Sequence, residues 1–137
     1  MAKTKWVAVV QCEVMRERCS GADCAVRFAG RRDLFAEHDS DVSVYIPITC
    51  GGCPGRRVAR LAAHLKKHMA KNQVTTDEVV VHLSSCIVND NHHGPPCPHI
   101  DDIKLMLARQ GFTRLIEGSK ISSGAEKKRA TGVYKNR

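Results

Sequence analysis

The chain has 137 residues, which is about the size of one ordinary domain, and 42% of them are apolar. No apolar run approaches the roughly 20 residues that a membrane-spanning helix needs, so a membrane protein is not expected. Regular, well-spaced apolar segments also argue against a disordered chain. The formal net charge is +8, and residues 119–137 contribute six basic residues and one acidic residue to it. We therefore expect a folded domain over residues 1–118 and a flexible basic tail over residues 119–137.

The hydrophobic pattern predicts strands that alternate with helices. In the first predicted helix, Asp23 is expected to cap the beginning. His38 is expected at its end, where a cation suits the helix dipole. The predicted elements in chain order are a strand over 5–12, a helix over 23–38, a strand over 42–49, a helix over 54–71, a strand over 78–83, a helix over 103–110 and a strand over 112–116.

This alternation predicts an α/β fold, a small three-layer sandwich with a four-stranded, mostly parallel sheet and helices on both faces. Right-handed crossovers leave few possible topologies. Pro47 lies within the second predicted strand. Proline cannot donate to a strand ladder, so that strand is expected at the edge of the sheet. The predicted strand order is 2-1-3-4, in a flavodoxin-like or Rossmann-like arrangement.

The beginning of the chain does not resemble a secretory signal. Its apolar stretch covers only residues 6–10, whereas a signal needs about 7–15 apolar residues. We therefore expect a cytoplasmic protein whose thiols stay reduced. Seven cysteines are present, an odd number, which also argues against complete disulfide pairing within the chain. In a reduced compartment, clustered cysteines indicate metal ligands or redox groups.

The cysteines fall at positions that parallel strands bring together. Cys12, Cys50 and Cys86 each follow a predicted strand, and the carboxyl ends of parallel strands share one edge, where open α/β sheets have their sites. Cys50 and Cys53 are separated by two glycines, a spacing that lets both sulfurs face one metal ion. We expect all of these thiols in one crevice. Further candidate ligands lie in the neighbouring loops: Cys19, Cys24, Cys97 and His99.

The remaining histidines are less informative. His64 and His68 are four residues apart on a predicted helix and are expected to be solvated. His82 lies within a strand and is expected to be a hydrogen-bonded core or edge histidine. His92 and His93 are expected to be exposed in the polar loop before Cys97.

Several motifs occur in a fixed order along the chain. They are Cys12 after the first strand, RCSGADC at 18–24, TCGGCPGR at 49–56, HLSSC at 82–86 and GPPCPHIDDI at 94–103. With them, the segment from Cys12 to about Gly118 resembles the CGGC-domain family. The cysteine and histidine content of that family implies zinc binding.

Three kinds of thiol chemistry remain open. Four sulfur or nitrogen ligands would hold zinc in a closed tetrahedral site, and seven cysteines would also supply enough sulfur for an iron–sulfur cluster. Alternatively, Cys50 and Cys53 form the centre of a thiol oxidoreductase, with Cys50 as the more exposed nucleophile and Cys53 as the resolving thiol. Nucleic-acid binding is not expected, because only the basic tail favours it. No partner is predicted. There is no phosphate-binding GxxxxGK[ST] or GxGxxG motif.

Overall fold

The computed structural model describes residues 3–89 and 95–134. Predictions for His92, His93 and residues 135–137 therefore lie outside the described residues. In the described ranges the elements are β1 (Trp6–Gln11), α1 (Ala22–Ala29), β2 (Val44–Thr49), α2 (Arg57–Lys71), β3 (Val79–Leu83), α3 (Ser85–Val88), α4 (Ile100–Arg109), β4 (Leu115–Glu117) and α5 (Ser123–Ala130). None of these helices is both long enough and apolar enough to cross a membrane.

The four strands form one all-parallel sheet in the order β2-β1-β3-β4. This confirms the predicted α/β fold and strand order. Strand β1 is central and pairs with β2 on one side and β3 on the other. Pro47 lies opposite Val9 on the edge strand β2, where a residue without an N–H group interrupts the fewest ladder bonds.

Alternation along β1 gives the sheet two apolar faces. Val7 and Val9 belong to one core cluster, with Phe28, Phe35 and Val42. Ala8 and Val10 belong to a larger cluster on the opposite face, which includes the buried sides of α2 and α4. Helices thus cover both faces, as the three-layer prediction requires.

The first helix is shorter than predicted. Helix α1 ends at Ala29, and Arg31 and Asp33 then adopt positive φ angles of 51° and 54°, which takes the chain off the helical path. Asp23 does not cap the helix, because Gly21 occupies the N-cap position. The Asp23 carboxylate pairs instead with Lys120, at 2.7 Å.

The segment after β4 contains regular structure that the sequence did not predict. Ser119 is fully buried, and the backbone N–H of Ile121 donates to the Asp33 carboxylate at 2.8 Å. Helix α5 follows, with the hydroxyl of Ser122 accepting from the Ala125 N–H group at its beginning. Contacts with α1 and the following turn therefore support regular structure in a segment that has little apolar content of its own. The independence of residues 1–118 as a folding unit stays a prediction.

A buried pair of histidines joins the segment after α1 to the sheet. The Nε2 atoms of His38 and His82 lie 2.8 Å apart, and Nδ1 of His82 lies 2.9 Å from the Gly118 carbonyl oxygen. A carbonyl only accepts, so His82 donates through Nδ1. Burial favours the neutral form of both rings, and in that form His82 accepts at Nε2 from His38. This corrects the placement of His38 at the end of a helix, and it agrees with the prediction of His82 as a hydrogen-bonded core histidine.

The buried histidine pair makes stability depend on pH. Burial lowers the pKa of His38 and lowers that of His82 to about 4. Between pH 6.5 and pH 4 the unfolded chain therefore binds more protons than the folded chain, so stability is full above pH 6.5 and falls with acidification. We expect a loss of about 3 kcal/mol in the free energy of unfolding over this range, measured by urea titration at several pH values.

The matched control for this pH dependence is the double variant His38→Gln, His82→Gln. Its free energy of unfolding should fall less between pH 6.5 and pH 4, whatever its stability at pH 7, because the two depressed titrations are gone. An identical pH dependence in both proteins would contradict the assignment.

Candidate functional site

The strand ladder continues past the ends of β2 and β3 and fixes the residues that follow them. The backbone N–H of Cys50 donates to the Gln11 carbonyl at 3.1 Å, and that of Ser84 donates to the Val10 carbonyl at 2.9 Å. The backbone after each of these two strands is thereby held beside the end of β1. Cys12, Cys50 and Cys86 accordingly lie at the same edge of the sheet.

The seven cysteines nevertheless lie around two places rather than in one crevice. Consecutive residues of a strand face opposite sides of the sheet, so Gln11 and Cys12 point in different directions. One group surrounds a small depression on the α2 and α4 side, which we call the four-cysteine depression: Cys12, Cys50, Cys53 and Cys97. The other group lines a larger space, which we call the β1–β3 cavity: Cys19, Cys24 and Cys86.

The four-cysteine depression is narrow and largely apolar. Its volume is about 20 Å³, which is room for one ion or one water molecule. Val14, Ile87 and Ile103 contribute apolar walls, and His99 lies at the same depression. A charged group placed there would be poorly hydrated and would depend on protein partners.

The two cysteines of the central motif differ in exposure. Cys50 is only 7% exposed, because it continues the β2 ladder beside β1, and its Sγ accepts a hydrogen bond from the Glu13 N–H group at 3.3 Å. Cys53 lies in the turn before α2 and is exposed. The assignment of Cys50 as the more exposed nucleophile was therefore wrong: in a thiol pair, Cys53 would be the accessible sulfur.

The glycines of the motif have different structural roles. Gly51 has a φ of +74°, and a Cβ atom there would lie 2.6 Å from Nε of Arg57, so its absence lets that side chain cross the loop. The guanidinium of Arg57 donates to Thr49 at 3.0 Å and to the Glu13 carboxylate at 3.1 Å. These contacts tie the motif to Glu13 in the loop after β1. The backbone N–H group of Glu13 is the donor to the Cys50 sulfur.

Cys97 approaches the depression from the loop before α4. Its backbone N–H donates to the Ile87 carbonyl at 2.7 Å, and its Sγ accepts from the His99 N–H group at 3.3 Å. Burial raises the pKa of the Cys97 thiol, and the nearby cysteines act in the same direction. In the metal-free protein this sulfur is therefore a protonated thiol.

The second group of cysteines is associated with serines. Cys86 Sγ lies 2.8 Å from the Ser84 hydroxyl, and Cys24 Sγ lies 3.2 Å from the Ser119 hydroxyl. Burial raises the pKa of the Cys86 thiol. Cys19 Sγ accepts from the Gly21 N–H group at 3.4 Å. In this arrangement each sulfur contacts a hydroxyl or N–H group, and the sulfurs do not converge.

As placed, the side chains do not form a ready-made metal site. All seven cysteines are free thiols. Within residues 3–89 and 95–134, no group of three or more His, Cys, Asp and Glu side chains is close enough to hold an ion. The ring centroids of His64 and His68 lie 4.6 Å apart on α2, with the rings tilted by 43°, and both side chains are exposed, as predicted.

A family model described as the CGGC domain matches residues 6–120. The chain belongs to the CGGC-domain family. The match covers all four strands and all seven cysteines, and it ends before α5. No curated protein and no solved structure matches the chain. Membership in the CGGC family suggests a cysteine-rich, metal-binding protein and leaves the metal unspecified.

The basic and serine-rich lining of the β1–β3 cavity is the part that sequence reasoning missed. Arg16, Ser84, Lys120 and Arg129 line it, and they come from four separate segments. No motif spacing connects them. The available signal was the alternation of β1, which places Gln11 and Cys12 on opposite faces.

Chemical labelling should report the difference in exposure within the motif. In the reduced, metal-free protein we expect iodoacetamide to modify Cys53 at least about tenfold faster than Cys50, because a thiol that is buried in the native fold reacts only after local opening. A time course with peptide mass mapping measures both rates. Equal rates, or faster modification of Cys50, would show that the motif is packed differently.

Two glycine substitutions should separate backbone strain from packing. Gly52 and Gly55 both have positive φ angles, +97° and +95°, but a Cβ on Gly52 meets open space, whereas a Cβ on Gly55 lies 3.2 Å from Ile103. We expect Gly52→Ala to cost about 1 kcal/mol of stability from strain alone. Gly55→Ala should cost at least about 1 kcal/mol more, because it also crowds the core. Urea unfolding measures both, and equal losses would argue against close packing at Gly55.

Proposed function

We propose that this protein binds a metal ion, zinc, through the thiolates of Cys12, Cys50, Cys53 and Cys97. One observation carries the proposal: these four cysteines, from three separate segments, surround a single small depression. Thiolates are the ligands that structural zinc sites use most, and four of them complete a tetrahedral set. His99 adjoins the same depression and would be an alternative nitrogen ligand.

Backbone donors would assist the thiolates that a metal site requires, and the cation itself would displace the proton that burial keeps on Cys97. Backbone N–H groups point at the sulfurs of Cys50 and Cys97, and such donors stabilise the thiolate form. The apolar walls limit access of water, which strengthens the interaction between a cation and its ligands. A fully ligated zinc ion would supply cross-linking rather than catalysis, since no coordination position would be open.

Binding would require movement of the side chains. Cys53 is exposed, and the sulfurs do not converge in the described structure, so the ion would draw them together. Sites of this kind couple metal binding to folding, because the free energy of binding stabilises the closed arrangement. The proposed role is therefore a metal-stabilised loop cluster at the carboxyl edge of the sheet. Cys19, Cys24 and Cys86, which line the other cavity, are expected to contribute less.

Serine substitutions test the ligand assignment. We expect about one zinc ion per chain in the parent protein. Cys50→Ser and Cys53→Ser should each lower both the zinc content and the unfolding midpoint. The loss of zinc affinity should exceed the roughly 10–100-fold that removal of an outer hydrogen-bond partner costs. Cys24→Ser is the matched control, since its sulfur lines the other cavity, and it should keep its zinc. Elemental analysis after anaerobic purification measures the content.

Other results would replace the zinc assignment. A broad absorption at about 400 nm that bleaches on reduction would indicate an iron–sulfur cluster on the same thiols. Full metal content in both central variants would exclude Cys50 and Cys53 as ligands. If Cys50→Ser then accumulated a mixed disulfide on Cys53, the pair would be a redox couple that had lost its resolving thiol.

A further inference from the structure

The β1–β3 cavity lies at the point where the strand order reverses. The chain passes from β1 outward to β2 and then returns past β1 to β3. Gln11 ends β1 and Ser84 directly follows β3. Both side chains line the cavity, and they are 3% and 1% exposed. Open α/β sheets bind their ligands in the crevice at this position. The cavity measures about 140 Å³, close to the roughly 150 Å³ that holds a benzene molecule in another protein.

The lining of the cavity carries positive charge. Arg16, Lys120 and Arg129 contribute three cationic side chains, and Asp23 contributes one carboxylate. The Glu126 carboxylate, which pairs with Arg129, offsets one further charge, so the formal excess is +1. A cavity with this excess favours an anion.

The cationic groups are already positioned by contacts within the protein. The guanidinium of Arg16 donates to the Gln11 side-chain oxygen at 2.5 Å, and the ammonium of Lys120 lies 2.7 Å from Asp23. The Gln11 amide is neutral, so this contact orients Arg16 without cancelling its charge. Side chains that are held before binding lose little further entropy when a ligand arrives.

Hydroxyl groups complete the polar part of the lining. Ser84 and Ser119 are both almost completely buried, at 1% and 0% exposure, and both line the cavity. Hydroxyl and guanidinium donors are the groups that proteins use to bind phosphate oxygens, and arginine does so in a planar, bidentate manner.

One wall of the cavity comes from outside the family match. Helix α5 and the residue before it contribute Ser122, Ala125 and Arg129, whereas the CGGC family model ends at residue 120. The Arg129 side chain is only 6% exposed and pairs with Glu126 at 2.5 Å. The segment after β4 thus closes a cavity whose other walls lie within the residues that the family model matches.

We propose that the β1–β3 cavity binds a small organic phosphate, a phosphate monoester about the size of one aromatic ring. Guanidinium and hydroxyl donors from several sides suit the three oxygens of a phosphate monoester better than the two of a carboxylate. The volume of about 140 Å³ accommodates an organic part of one ring. This site is separate from the four-cysteine depression, and its ligand needs no metal.

Isothermal titration of the full-length protein with phenyl phosphate tests the proposal. We expect saturable binding that is tighter than the binding of inorganic phosphate, which lacks the organic part, and tighter than that of benzoate, which has less charge. Arg16→Gln should weaken binding by about tenfold or more, since it removes a charged hydrogen-bond donor. Arg16 is exposed at the cavity, so this variant should keep the unfolding midpoint of the parent protein.

Arg109→Gln is the matched control, because Arg109 is exposed on α4 and does not line the cavity. It should bind phenyl phosphate as the parent does. If phenyl phosphate binding weakened equally in both arginine variants, the loss would reflect only the change in net charge of the protein. That result would overturn the proposed site. Absence of saturation at about 10 mM, beyond the millimolar range of weak specific ligands, would also overturn it.

Two further comparisons make the ligand assignment falsifiable. Equal affinity for benzoate would overturn the assignment of a phosphate, and equal affinity for inorganic phosphate would overturn that of an organic part. Cys53→Ser should bind phenyl phosphate normally, whether or not it loses metal. Failure of phosphate binding therefore leaves the zinc proposal standing, and failure of zinc binding leaves the phosphate site standing.

Discussion

The hydrogen bonds that β1 makes to strands on both sides hold the functional edge of this protein together. They extend beyond the strands themselves: the N–H groups of Cys50 and Ser84 donate to the carbonyls of Gln11 and Val10. The first residues after two strands are thereby placed beside the end of a third, although they are distant in sequence. Buried backbone groups must find partners, and these two hydrogen bonds satisfy four of them at the edge of the sheet.

Alternation along β1 then divides that edge into two chemical environments. Cys12 faces the side of α2 and α4, where thiols meet apolar walls, and Gln11 faces the side of α1, where serines meet cationic groups. Neighbouring residues in the chain thus serve different sites. Cys86 lies between them, since it lines the β1–β3 cavity and its thiol also interacts with Cys12.

The sequence predicted the sheet well and the sites less well, for physical reasons. Runs of β-branched residues that alternate with amphipathic helices are typical of a parallel sheet, and Pro47 located its edge. The position of His38 was predicted wrongly because Arg31 and Asp33, which have positive φ angles, take the chain off the helical path. The chain then enters the core, where His38 contacts His82. The ends of the predicted strands located the cysteines that follow them at one edge of the sheet. The face on which each side chain lies follows only from the alternation along β1, which separates Gln11 from Cys12.

Helix α5 was missed because its support lies elsewhere in the chain. Its segment is held through the carboxylates of Asp23, in α1, and Asp33, in the turn after α1, and the local composition does not reveal such contacts. This helix lies beyond the residues matched by the family model and takes no part in strand pairing. Its side chains can therefore be replaced without disturbing the sheet, so the shape and charge of the cavity can be altered independently of the fold.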